Sequence, residues 1–158
     1  MENATQLLAI DTQYLQTTEM IHKYAESVGL ARADVYNTEK RNWTWKKGSA
    51  SIEIFILRID LGNGYVRDFI KIFTLVMQVP QTNLLEFYRR LLELNDEKLG
   101  IKLTLQKDGN NVWGTFERDI NGMDYNELVA FISDFEIWAD QFDNMLEAEF
   151  PTVLQVNP

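Results

Sequence analysis

Four carboxylates near the C-terminal end recur at intervals of four, three and four residues: Glu136, Asp140, Asp143 and Glu147. On a helix this spacing puts them on one flank. Their oxygens there would suit a hard divalent cation, or a pair of acids for proton transfer. A solvated acidic face is the preferred reading, because a carboxylate cage needs ligands from a second helix and the chain has no Glu-x-x-His pair to supply them. The only histidine, His22, lies one position off an apolar stripe. The absence of cysteine excludes a Cys-His site, a Ser-His site would have to be built on His22, and nothing resembles a nucleophile elbow. Gly62-Asn63-Gly64 lacks the third glycine, the lysine and the following helix of a phosphate loop. Asp108-Gly109-Asn110 opens like a calcium loop, but Trp113 stands where that loop needs glycine. Trp43 and Trp45 share one side of a strand, and Trp113 lies on another. Exposed, these rings would stack on sugars or peptides; buried, which is preferred, they are core or interface. No catalytic, cofactor-binding or metal-binding residue is expected.

The elements that must position these groups follow from apolar spacing. Leu7, Tyr14, Ile21 and Val28 recur every seventh residue, with Ile10 and Tyr24 between them, which predicts a helix that Gly29 stops. Asn42 to Lys46 alternates aromatic with polar residues, and Lys47-Gly48-Ser49 supplies turn chemistry. Ser51 to Asp60 and Tyr65 to Val79 are rich in Ile, Val and Phe, and Leu61-Gly62-Asn63-Gly64 between them predicts a tight hairpin. Both faces of this hairpin are apolar, with Ile52, Ile54 and Ile56 on one and Phe55, Leu57 and Ile59 on the other. The second face therefore also needs cover, from a helix or another subunit.

After Pro80, the residues Leu84, Leu85, Phe87, Tyr88, Leu91, Leu92 and Leu94 predict an amphipathic helix up to Asn95. Ile101, Leu103 and Leu105 alternate with polar residues and turn at Asp108 to Asn111 into a strand from Val112 to Arg118. The last helix is expected from near Asp124 to Glu149. Leu128, Ile132, Phe135, Ala139, Phe142 and Leu146 line one face, flanked by Phe131, Trp138 and Met145, so its apolar arc is wider than one side of a small sheet needs. The order α-β-β-β-α-β-β-α reads as one α+β domain, ordered over about residues 5–150, with a loose tail over 152–158.

Length and charge bound the function. The 158 residues are enough for a core without disulfides, and 46% apolar content is too high for disorder. The absence of cysteine points to a reducing compartment, the cytoplasm by default. The N-terminal apolar run is too short for a signal or membrane segment. A net charge of −9 opposes binding to phosphate backbones and anionic lipid.

The element order, with Leu91-Leu92-Glu93-Leu94-Asn95-Asp96 closing a helix before a hairpin, resembles the type III secretion chaperone-like superfamily, including its YbjN-like members. The likeness spans about Leu84 to Leu146. It implies helices packed against a twisted antiparallel sheet, a homodimer, and a binding or regulatory role without catalysis. Secretion chaperones are small acidic dimers whose grooves hold an extended client segment. The expected function is thus a homodimeric protein-interaction module, with Phe131, Trp138, Met145, Trp43 and Trp45 as candidate interface. The alternatives are a small-ligand or divalent-metal sensor using the acidic flank or an aromatic cleft, and a carboxylate-based hydrolase.

Overall fold

The computed structural model describes residues 2–107 and 109–151, with side chains described from residue 11 onward. The expected tail at 152–158, the turn residue Asp108, and the Leu7 and Ile10 side chains lie outside these described residues. The elements are α1 (Glu2–Ser27), α2 (Arg32–Val35), β1 (Tyr36–Asn37), β2 (Asn42–Lys47), β3 (Ala50–Asp60), β4 (Val66–Gln78), α3 (Leu84–Glu97), β5 (Lys102–Leu105), β6 (Asn111–Asp119) and α4 (Tyr125–Glu149). This is an α+β fold with a six-stranded antiparallel sheet in the order β1-β2-β3-β4-β6-β5. The expected order gains only the one-turn α2 and the two-residue β1, where the sequence carries no periodic signal.

Local chemistry accounts for the boundaries. Gly29, at φ 84°, ends α1 in a left-handed turn, with the Leu30 amide bonded to the Ala25 carbonyl and the Gly29 amide to that of Glu26. Gly62, Asn63 and Gly64 all have positive φ, so the β3–β4 turn sits where the sequence asks for one. Helix α4 opens with a reciprocal cap: Asp124 Oδ1 accepts from the Glu127 amide, and Glu127 Oε2 accepts from the Asp124 amide. On β4 Asp68, Ile70, Ile72, Thr74 and Val76 are buried at the two-residue period of a strand, and Met77 is buried out of that period near its end.

The chain groups into two compact units. Of the described residues, one comprises 2–45, Glu53–Ile72 and Glu117–Ser133; the other comprises Lys46–Ile52, 73–107, 109–116 and 134–151. The first has a core of Ile21, Tyr24, Trp43, Trp45, Ile54, Ile70, Ile120, Leu128 and Ile132. Its main buried charge is Asp68, held by the Arg58 guanidinium through two bonds of 2.9 Å, with a third from Arg58 to Asp11. These carboxylates hold the Arg58 pKa above its ordinary value. On the other face of β3 in this unit Phe55 is half-buried, while Leu57 and Ile59 are exposed. The second unit buries Ile52, Val76, Phe87, Leu91, Leu94, Leu103, Val112, Phe135, Phe142 and Leu146. Each large apolar side chain so buried contributes about 2 kcal/mol.

Candidate interaction surface

The acidic flank of α4 is a structural clasp within the second unit. Glu136 is buried and meets Lys47 Nζ at 3.5 Å. Asp140 Oδ1 accepts from the Ser49 amide at 3.2 Å and from its hydroxyl at 3.3 Å, and Asp143 Oδ2 accepts from the same hydroxyl at 2.6 Å. The turn joining β2 to β3 comes so close that a β-carbon on Gly48 would collide with the Asp140 carboxylate. Glu147 is exposed and makes no ion pair among the described residues. Asp140 and Asp143 meet at Ser49 and Glu136 reaches Lys47, so three of the four carboxylates hold the turn and its flank. Among the described residues no three potential ligands are grouped to hold a metal ion.

The aromatic candidates divide. Trp43 and Trp45 are only 1% and 6% exposed, so β2 uses them as core within the chain and leaves almost nothing of them to offer a second copy. Trp43 donates its indole N–H to His22 Nδ1 at 3.1 Å, and Tyr36 stands edge-on to the same imidazole. Burial, reinforced by Arg32, holds the His22 pKa below its ordinary value. Trp113, half-buried on β6, meets Phe73 edge-on at 5.7 Å. On α4, Phe131, Trp138 and Met145 are half-buried and each has a cationic neighbour. Arg118 lies over the Phe131 ring at 5.0 Å, Lys98 over Trp138 at 4.9 Å, and Arg90 points Nη2 at Met145 Sδ at 3.6 Å. Trp138 also stacks on Phe142.

Among the described residues, several exposed apolar side chains fall on α3, which the sequence presents as one amphipathic face. Phe87, Leu91 and Leu94 point into the core of the second unit. Leu84, Leu85, Tyr88 and Leu92 do not: Leu85 is 84% and Leu92 70% exposed, and Leu99, just past the helix, is 85% exposed. At about 100° per residue the apolar positions of α3 cover roughly half its circumference, and the core takes only one edge of that arc. The rim beside the exposed stripe carries both signs of charge, with Arg89 bonded to Glu93 at 2.8 Å. Helix α3 is anchored through Asn95, whose amide donates to the Leu103 carbonyl at 3.2 Å and whose Oδ1 accepts from the Leu103 amide at 2.7 Å. The Leu91-to-Asn95 phrase thus joins two core leucines to a side chain that pairs like a strand with β5. Arg90 ties α3 to α4 through Glu149 at 2.9 Å.

Helices packed on an antiparallel sheet in this order define the type III secretion chaperone-like fold. The chain is similar to a chain in the crystal structure of the ExsC–ExsE complex, with a TM-score of 0.61 and 11% identity over 84% of this chain and 95% of that one. It is also similar to a chain of the HopA1–SchA chaperone–effector complex (TM-score 0.60, 9% identity, 85% and 98% covered) and to YbjN from E. coli (TM-score 0.54, 13% identity, 83% and 91% covered). At these identities the likeness concerns the fold. Residues 17–148 match the YbjN family, described as "Putative bacterial sensory transduction regulator", and the chain belongs to that family. No curated protein matches it in sequence. No helix among the described residues is long and apolar enough to cross a membrane.

Proposed function

We propose that this protein is a non-catalytic protein-interaction module that works as a homodimer, with the outward stripe of α3 as the principal contact between copies. The observation that carries this reading is the exposure of Leu85 and Leu92, two turns apart on one side of α3 with Tyr88 between them, and of Leu99 just past the helix. A two-fold interface sets one patch against its own copy, so the patch must be self-complementary. An apolar strip whose rim carries Arg89, bonded to Glu93, meets that condition, whereas a purely acidic face on a chain of charge −9 would repel itself. A chaperone-like or regulatory role toward a second protein is supported by relatives of this fold that were crystallised in complexes with protein partners. Trp138 and Met145 on α4 form a second candidate surface of the second unit, and Phe131, in the first unit, is a separate candidate.

Light scattering over a range of concentrations tests the dimer. The expected result is twice the chain mass at micromolar protein, falling to the chain mass in the double variant Leu85→Glu/Leu92→Glu with an unchanged circular dichroism spectrum. A wild-type monomer at every concentration would overturn the dimer reading.

A further inference from the structure

Helix α1 turns His22 onto β1 and β2, where register sets Tyr36 opposite Trp43. The imidazole centroid lies 4.9 Å from that of Tyr36 and 5.2 Å from that of Trp43. An indole nitrogen can only donate, so the Nδ1 that receives the Trp43 N–H must be bare. The ring is therefore neutral, with its proton on Nε2. That Nε2 is sealed from solvent without a hydrogen-bond partner, as are the hydroxyls of Thr17 and Thr18 on the same helix. His22 itself is 1% exposed.

A second proton would go to Nδ1. It would turn an N–H against the Trp43 N–H, abolish that bond, and leave a charge in a site that water does not reach. The charged groups around the ring do not rescue it. Glu19 and Glu26 on α1 favour the charged form and Arg32 on α2 opposes it, while Glu19 is itself paired to Arg32 at 3.1 Å. Trp43, from β2, has no charged form to offer. Desolvation is the largest influence and sets the direction.

We propose that His22 is a proton-sensitive latch: uptake of a proton breaks its bond to Trp43 and loosens α1 from the β1–β2 ribbon, uncovering Ile21, Tyr24, Ala25 and Trp43. Because the folded state lowers the pKa of this histidine, the stability it supplies is complete above the ordinary value of 6.5 and is lost as pH falls below it. One proton changes the opening equilibrium by at most about tenfold per pH unit. The device involves no residue of the α3 stripe, so it stands or falls separately from the dimer.

His22 is the only histidine, so its ring nitrogens are identified in an NMR spectrum of the full chain without assignment. Imidazole resonances and α1 amide protection factors are followed together from pH 8 to pH 4. The expected result is an Nε2–H tautomer at pH 8, titration below 6.5, and α1 protection falling with it by up to about tenfold per pH unit. In His22→Gln, whose side-chain oxygen still accepts from Trp43 but does not titrate, protection should stay flat over that window. An Nδ1–H tautomer at pH 8, titration at or above 6.5, a ring neutral down to pH 4, or the same loss of protection in the variant would each overturn the proposal. The wild-type titration alone decides if the variant does not fold.

Discussion

Within the second unit, α3 and the part of α4 from Asp134 onward begin from similar sequence patterns and end in opposite situations. Both carry more apolar residues than one buried face requires, and α4 adds a row of carboxylates that looks fit for chemistry. On α4 the extra groups are engaged locally: Trp138 stacks on Phe142 beneath Lys98, Met145 meets Arg90, and Asp140 and Asp143 hold the β2–β3 turn. On α3 the extra leucines remain in solvent. A wide apolar arc therefore identifies a surplus but not its fate. That depends on whether a neighbouring element supplies cations and turns that reach it.

Substitutions on the two helices sharpen this contrast. Phe87→Ala and Phe135→Ala remove fully buried rings, and each should cost about 3–5 kcal/mol in urea unfolding. Gly48→Ala should cost about 1–3 kcal/mol, since Gly48 sits at φ 58° against the Asp140 carboxylate. A cost near zero would mean that the clasp is loose. Asn95→Leu should cost about 1–3 kcal/mol, because the Leu103 amide and carbonyl lose the partners that tie β5 to α3. Smallest of all, Leu85→Ala should change the stability of the isolated chain by about 0.5 kcal/mol or less while weakening self-association measured by sedimentation. A multi-kcal/mol loss in the monomer would show that Leu85 is part of the core.

Much of this organisation was legible in the sequence, for identifiable reasons. Gly29 and the Leu61-to-Gly64 turn require positive φ, and their residue types announce it. The cap at Asp124 and Glu127 is equally local. The Leu91-to-Asn95 phrase is visible as a pattern, but its meaning rests on Asn95 reaching β5. Least legible were contacts between distant segments. Ser49 meets Asp140 across 91 residues, and nothing in the spacing of the carboxylates names the turn they hold. The residues of α2 and β1 show no period because each element is too short to display one. The alternation that correctly put Trp43 and Trp45 on one side of a strand could not tell core from interface, and His22 beneath Trp43 places the first of them in the core.

The most direct test of the central claim exploits the absence of cysteine. Single substitutions Leu92→Cys on α3 and Ile137→Cys on α4 place one thiol at an exposed position on each helix. A short bis-maleimide then reads which helix meets its own copy at micromolar protein. A dimer built on α3 gives a covalent dimer from Leu92→Cys and monomer from Ile137→Cys. Cross-linking through position 137 and not 92 would contradict it and move the interface to α4.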